Sequence, residues 1–127
     1  MFEIRTDSDV PIHRQISEGV RLAIGAGRLA PGDELPSVRA MAVKLRINPN
    51  TVARAYRELE TLGVLETRRG RGSFVARGAL EDSEQARNTV IDTRVEELVA
   101  TARQAGMSDS AILETVRKRL DRKKVTK

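Results

Sequence analysis

Hydrophobic residues recur at helical spacing in the first half of the chain and fall into three short segments. Positions three and four residues apart share one face of an α-helix, so the pattern predicts three amphipathic helices. The inward positions are Ile12, Ile16, Val20, Ala23 and Ile24 in the first helix, Val38, Met41, Ala42 and Leu45 in the second, and Val52, Ala55, Tyr56, Leu59 and Leu62 in the third.

Residues that favour the start of a helix lie at the beginning of each segment. Residues 7–9 (Asp-Ser-Asp) are candidate caps for the first helix, with Pro11 in its first turn, and Ser37 is the candidate cap of the second. The third helix is expected to begin at Asn48 and Pro49, a capping residue followed by proline. Two helices joined by a turn of about three to four residues predict a helix-turn-helix.

Beyond Gly63 the hydrophobic period changes from helical to alternating. Residues 64–68 read VLETR and residues 73–77 read SFVAR, and both are rich in β-forming residues. Residues 69–72, which read RGRG, separate the two runs. The glycines tolerate positive φ angles and let the backbone approach a partner closely. A β-hairpin after a helix-turn-helix predicts a winged helix.

The last third of the chain predicts two further helices behind a linker at residues 78–85. The expected organisation is therefore a winged helix-turn-helix over residues 1–77 and a linker with a two-helix hairpin over residues 78–127, a mainly α fold with a small β-hairpin. A two-helix hairpin is too small to form a core alone, so its apolar residues must pack against the winged domain or against another copy. A symmetric homodimer is expected from the preference of oligomers for two-fold symmetry. The candidate dimerisation residues are Ile91, Val95, Leu98, Val99, Ile112, Val116 and Leu120.

Composition limits the possible classes of protein. Hydrophobic residues make up 39% of the 127 residues and aromatic residues 2%, so the core must be aliphatic. The chain has no cysteine, which excludes disulfides and thiolate metal sites. No apolar run is long enough to span a bilayer, so no membrane partner is expected. These features indicate a cytoplasmic protein.

Positive charge is concentrated in one block of the chain. Residues 39–77 hold nine basic and three acidic residues, and eight of the nine basic residues are arginine. The whole chain has a formal net charge of +5, so this block carries the excess. Arginine forks suit phosphates and guanine edges, and a localised basic block indicates a polyanionic partner. Double-stranded DNA is the expected partner.

The outward side chains of the third helix are the candidate reading residues. In a helix-turn-helix, the first turns of the second helix reach base edges in the major groove. Arginine pairs with guanine or phosphate, and asparagine pairs with adenine. Arginines in the wing suit the negative potential of a narrow minor groove. The candidates are Asn50, Thr51, Arg54 and Arg57 on the third helix, Arg39 and Arg46 around the turn, and Arg69 and Arg71 in the wing.

The residue types give little support for a catalytic, metal-binding or cofactor-binding site. The single histidine, His13, lies at the edge of the first apolar stripe, and a metal site needs three or four ligands. No catalytic motif, metal ligand set or cofactor-binding motif is present, so no catalytic residue, metal or cofactor is expected. A small-molecule effector remains possible, of unknown identity.

Three segments, LPSVRAMA, NPNTVARAYRELE and GRGSFV, resemble the winged-helix domain of GntR-family transcriptional regulators over roughly residues 8–76. The resemblance implies DNA contacts, and the short tail is similar to that of the YtrA-like subfamily, in which it is a dimerisation element. His13 departs from the family pattern, which has an aromatic residue there, commonly tyrosine. The DNA contacts implied by the resemblance are Arg39, Arg46, Asn48, Asn50, Thr51, Arg54, Gly70, Arg71 and Gly72.

Two functions from different classes are compatible with these patterns. The first is a dimeric, sequence-specific transcriptional regulator, a repressor that occludes a promoter by binding a pseudo-palindromic operator. The alternative is an architectural or protein-binding winged-helix module with nonspecific affinity for DNA.

Overall fold

Five α-helices and one two-stranded antiparallel sheet make up the chain, for which a computed structural model describes residues 3–125 and the side chains of residues 3–122. The prediction of a mainly α winged helix with a small β-hairpin is confirmed. The elements in chain order are α1 (Ile12–Gly25), α2 (Val38–Leu45), α3 (Pro49–Thr61), β1 (Leu65–Arg68), β2 (Gly72–Val75), α4 (Ala79–Gln104) and α5 (Asp109–Val125).

Helix α1 begins differently from the prediction. Pro11 is itself the N-cap, and no side chain caps the helix, so the expectation that residues 7–9 supply a cap is wrong. The hydroxyl of Ser8 accepts a hydrogen bond from the backbone N–H of Val10, which lies before the helix. The side-chain amide of Gln15 instead holds the entering chain, because it donates to the carbonyls of Arg5 at 2.9 Å and Val10 at 2.9 Å.

Helices α1, α2 and α3 enclose an aliphatic core that is closed by the hairpin. Ile16, Val52, Leu59 and Val64 are fully buried there. The predicted inward positions of these helices are buried or half-buried, with one exception. Leu62 is 51% exposed, because α3 ends at Thr61 and Leu62 is its C-cap. The period of α3 was therefore extended one residue too far in the prediction.

The predicted hairpin forms, with strand bounds that differ from the alternating runs, and it gains a partner that the alternation did not indicate. Strands β1 and β2 pair from Leu65 with Val75 to Arg68 with Gly72, so β2 begins one residue earlier and ends two residues earlier than the run at residues 73–77. The loop between α1 and α2 also bonds to β2. Its contacts are Gly32 N–H to Val75 O at 2.8 Å, Val75 N–H to Asp33 O at 2.8 Å, Leu35 N–H to Ser73 O at 2.9 Å and an isolated bridge between Glu34 and Phe74. The base of the wing is thus fixed on both sides of β2.

The segment predicted to be a linker, residues 78–85, is helical from Ala79 onward. Helix α4 begins at Ala79, and Ala79 and Ser83 are buried, at 1% and 0% exposure. A Cβ atom on Gly25 of α1 would lie 2.8 Å from the carbonyl oxygen of Ser83, so the lack of a side chain on Gly25 permits this close approach. Small residues, rather than a wide apolar stripe, form the contact, which is why the hydrophobic pattern did not reveal it. The linker prediction is therefore wrong.

Two arginine contacts hold the start of α4 to α1. The guanidinium of Arg87 donates to the carbonyl of Gly25 at 2.7 Å, and Arg21 pairs with Asp82 at 3.2 Å. The chain divides into two compact units between Asn88 and Thr89, rather than at residues 77 and 78 as the sequence indicated. In the second unit, the Ser108 hydroxyl caps α5 by accepting a hydrogen bond from the N–H of Ala111 at 3.2 Å.

A buried tyrosine links α3 to the loop before α2. The hydroxyl of Tyr56 donates to the carbonyl of Pro36 at 2.7 Å, and burial raises the pKa of Tyr56 to about 12 from its usual 10.0. Folding therefore favours the neutral phenol. The stability that Tyr56 contributes as a neutral phenol is fully present below about pH 10 and is lost as the pH rises through about 12.

We expect Tyr56→Phe to lower the free energy of unfolding by about 1 kcal/mol at neutral pH, because the Pro36 carbonyl loses its donor. Between about pH 9 and 12, the wild type should lose about 2 kcal/mol more stability than the variant, since only the wild type carries the raised tyrosine pKa. Urea unfolding of both proteins across this range measures the difference. Parallel stability curves would contradict the expected role of the phenol.

None of the helices in the described part of the chain is long and apolar enough to cross a bilayer.

Candidate nucleic-acid interface

The N-terminus of α3 is built by two asparagines and a proline. Asn48 is the N-cap, and its side-chain oxygen accepts from the N–H of Asn50 at 2.8 Å, while Pro49 occupies the first helical position. The cap uses only the oxygen of Asn48, so the two N–H bonds of its exposed side-chain amide remain available as donors. The positive end of the helix dipole lies at the same place. This end of α3 therefore favours an anion.

The polar face of α3 lies in solvent. Asn50, Arg54 and Arg57 are exposed, and Thr51 is half-buried. The opposite face packs on α1 and α2 through Val52, Ala55, Tyr56 and Leu59, which are all buried. The side chain of Arg54 is 63% exposed, and among the described residues it makes a long ion pair with Glu58, at 3.8 Å between Nε and Oε1. A helix held in this way presents its polar side chains outward, as a reading helix requires.

Arg46 lies in the turn between α2 and α3 in a strained backbone conformation. Its φ of 58° makes it the only non-glycine residue with a positive φ among residues 3–125. A side chain in this left-handed region costs about 1–2 kcal/mol. Glycine, which does not incur that cost, is the usual residue at such a helix end. Strain of this kind is characteristic of functional positions, and the exposed Arg46 side chain is the feature that glycine would remove.

We expect Arg46→Gly to raise the free energy of unfolding by about 0.5–1 kcal/mol, since relief of strain exceeds the extra entropy of glycine in the unfolded chain. The same change should weaken DNA binding, because it removes the arginine contact that the sequence predicts at this position. Denaturant unfolding and titration of duplex DNA measure the two effects. The matched control for stability is Arg39→Ala, which removes an exposed arginine from α2 without relieving strain and should leave the free energy of unfolding nearly unchanged. A stabilised Arg46→Gly with unchanged DNA affinity would exclude Arg46 from the interface.

The wing presents two arginines at its tip. Arg69 and Arg71 are exposed, and no acidic side chain among the described residues pairs with either. Gly70 and Gly72 have φ angles of 74° and 116°, which closes the turn together with a hydrogen bond from Arg71 N–H to Arg68 O at 2.8 Å. These conformations account for the glycines by turn geometry alone.

Two residues beside the wing were missed in the sequence analysis. The guanidinium of Arg68 lies 4.4 Å from the centre of the Phe74 ring, which anchors it to the hairpin rather than to the tip. A carboxylate oxygen of Glu34 would lie 3.1 Å from a Cβ atom at Gly72. Glu34 precedes the sheet by many residues, so no local pattern could have placed it beside the wing.

The second unit carries an exposed apolar surface, here called the tail surface and formed by Ile91, Val95, Leu98, Leu113, Val116 and Leu120. Their exposed fractions range from 39% to 69%. A groove of about 250 Å³ lies on it, lined by Leu98, Thr115, Val116, Arg119 and Leu120. Two candidate dimerisation residues differ from the rest, because Val99 is half-buried and Ile112 is 8% exposed within the chain itself. Ile112 therefore has little surface to offer a partner.

Metal chemistry finds no support in the described part of the chain, where no three histidine or acidic side chains are grouped to hold an ion.

Comparison with known proteins agrees with this geometry. The model of the family "Bacterial regulatory proteins, gntR family" matches residues 12–75. The HTH-type transcriptional repressor YtrA of Bacillus subtilis is 38% identical over 107 residues, which are 84% of this chain and 82% of the repressor.

Two solved structures extend the likeness beyond the family model. A GntR family transcriptional regulator from Listeria monocytogenes has a TM-score of 0.69 at 32% identity, covering 88% of this chain and 97% of that one. YtrA from Sulfolobus acidocaldarius, a GntR-family transcription factor, has a TM-score of 0.56 at 28% identity, covering 95% and 97% of the two chains. The chain therefore belongs to the gntR family of bacterial regulatory proteins, with YtrA among its relatives.

Proposed function

We propose that this protein is a dimeric transcriptional repressor that binds a pseudo-palindromic operator in the cytoplasm. Membership of the gntR family makes it a DNA-binding transcriptional regulator rather than an enzyme. The observation that supports the proposal most strongly is the exposed polar face of α3, whose arginines are not packed against their own chain.

In this proposal, α3 lies in the major groove with its first turns toward the base edges. Asn50 and Arg54 are its principal base-reading residues, and Thr51 and Arg57 contact bases or phosphates beside them. Arg39, Arg46 and Asn48 bind the backbone where the helix enters the groove, because they surround the positive end of α3. Together these residues read the base sequence and fix the position of α3 on the duplex.

The wing follows the backbone into the neighbouring minor groove. Arg69 and Arg71 enter it, and Gly70 and Gly72 leave room for the backbone to approach the duplex. Because minor-groove contacts distinguish sequences poorly, the wing supplies affinity and salt dependence more than specificity.

The tail surface is proposed to form the dimer. Six exposed apolar side chains on one small unit form a surface that monomeric proteins rarely leave uncovered. A two-fold axis through the tail surface would give each dimer two reading helices, which matches the symmetry of a pseudo-palindrome. Ile91, Val95, Leu98, Val116 and Leu120 are the proposed dimerisation residues, with Val99 and Ile112 contributing less because they are more buried within the chain.

Repression is the proposed direction of regulation. A chain in which one compact unit binds DNA and the other mediates dimerisation acts most simply by occupying the promoter. The relative YtrA of Bacillus subtilis carries the name of a transcriptional repressor, which supports the same direction.

Selection of bound duplexes from a random library, followed by competition at fixed salt, tests the proposal. We expect a sequence with two inverted half-sites, bound at least about 10³-fold more tightly than random DNA. Placing that site within a promoter should reduce transcription in a purified system when the protein is added. Equal retention of all duplexes would favour an architectural or protein-binding module instead.

A further inference from the structure

The chain's single histidine lies against the reading helix. His13, near the start of α1, is largely buried, with 16% of its side chain exposed. Its Nδ1 atom lies 2.8 Å from Oε1 of Glu58 on α3. The same carboxylate oxygen lies 3.8 Å from Nε of Arg54. One carboxylate therefore stands between the histidine and a proposed base-reading arginine.

The charge on the His13 imidazole decides which cation neutralises the Glu58 carboxylate. Nδ1 lies close to Oε1 but is not aligned for a hydrogen bond with it, so the contact acts through the charges of the two groups. With a neutral ring, the charge of Glu58 is balanced only by Arg54, which is thereby held in a pair within its own chain. With an imidazolium, Glu58 is balanced by His13, and the charge of Arg54 is left to face the DNA.

Several other charged groups near α1 have partners of their own. At the start of α4, Asp82 pairs with Arg21, and Arg87 binds the carbonyl of Gly25, two or more helical turns beyond His13. In the segment before α1, Arg5 and Asp7 form their own exposed pair at 3.7 Å. On α1 itself, Arg14 and Glu18 are the charged residues nearest to His13 in the sequence. Glu58, backed by Arg54, is the charged group that α3 directs at the ring.

We propose that His13 is a positioning residue for DNA reading, one that acts through Glu58 to set whether Arg54 is held within the chain or released to the duplex. This inference rests on the proposed function of α3. Histidine ordinarily changes its charge between about pH 5 and 8, so operator binding strengthens as the pH falls through that range. By linkage, DNA binding in turn favours the charged form of the ring.

The test measures operator affinity at fixed salt between about pH 5.5 and 8 for the full chain and two variants. The wild type should bind about 2- to 5-fold more tightly per subunit at the lower pH, the size expected of one exposed ion pair. His13→Gln keeps a polar side chain beside Glu58 but cannot gain a charge, so its affinity should not change with pH and should match the wild type at about pH 8. Glu58→Gln removes the carboxylate, so its affinity at about pH 8 should rise toward the low-pH value of the wild type.

Proton NMR of the wild type provides a measurement that needs no variant, since a single histidine gives one pair of imidazole C–H signals. At a fixed pH between about 5.5 and 8, adding operator DNA should move these signals toward the positions that they have in the charged ring. Imidazole signals that DNA leaves in place, a pH-dependent His13→Gln or a Glu58→Gln with wild-type affinity at about pH 8 would each overturn the role of His13. Selective binding that is constant with pH overturns this inference alone, whereas a wild type that binds no duplex at any pH overturns the proposed function as well.

Discussion

The double variant Leu98→Glu, Leu120→Glu should sediment as a monomer and bind the operator about 10²- to 10⁴-fold more weakly than the wild type. Both leucines line the groove of the tail surface and are 47% and 59% exposed within one chain. The substitutions therefore bury no charge in the monomer, and the fold of each unit should be retained. In a dimer, the same carboxylates would be buried without partners, which is strongly unfavourable.

The loss of affinity follows from the geometry of two linked reading helices. Binding of the first half-site in a dimer places the second reading helix at a high effective concentration over the second half-site, a gain of about 10²–10⁴ that needs no new contact. A monomer loses this gain but keeps every contact to its own half-site. Equal affinity of the variant and the wild type for a duplex with one half-site would therefore show that the reading face is intact.

The matched control is Ala100→Glu, Lys118→Gln, which makes the same change in net charge on the same two helices. Ala100 and Lys118 are exposed and lie two residues from Leu98 and Leu120, on other sides of their helices. This control should remain dimeric and retain operator affinity. A dimeric Leu98→Glu, Leu120→Glu variant, measured by sedimentation at operator-binding concentrations, would exclude the tail surface as the interface.

The elements of the winged domain could be predicted because their signals are local. Ser37 and Asn48 cap α2 and α3 through hydrogen bonds to residues two or three positions away, and the change to alternating residues after Gly63 marks the hairpin. Each of these signals depends on a few neighbouring residues, so the chain carries them wherever it folds. The helix-turn-helix and the wing follow directly from their order.

The errors arose where a contact joins residues distant in the sequence. The start of α4 depends on Gly25, which admits the backbone of Ser83, and no periodicity within residues 78–85 reports that contact. The pairing of residues 32–35 with β2 likewise depends on a strand some forty residues later in the chain. At the start of α1, the polar residues 7–9 suggested a cap that the structure replaces with Pro11 and the side chain of Gln15.

For the interface, residue type and helical face could be read from the sequence, but conformation and pairing could not. The exposure of Asn50, Arg54 and Arg57 follows from the apolar stripe on the opposite side of α3. The positive φ of Arg46 and the contact of His13 with Glu58 become visible only when α1, α2 and α3 are packed together. These are the two features that say most about how the reading face is tuned.

The second large effect expected is on specificity, and it separates Arg54 from Arg71. Arg54→Ala should cost about 1–3 kcal/mol at one base position of each half-site and leave discrimination at the other positions unchanged, because an arginine fork reads one base pair. Arg71→Ala should weaken all sequences alike and reduce the salt dependence of binding by about one ion per subunit, since it removes a contact that does not read sequence.

Binding of a panel of operators with single base changes, at several salt concentrations, distinguishes the two variants. Arg28→Ala is the matched control, because Arg28 is an exposed arginine in the turn after α1 and is not among the proposed DNA contacts. That variant should change neither specificity nor salt dependence. If Arg54→Ala instead lowered affinity for every operator by the same factor, Arg54 would be a backbone contact, and base reading would have to come from Asn50 and Arg57. If Arg71→Ala relaxed specificity at one position, the wing rather than α3 would read that base.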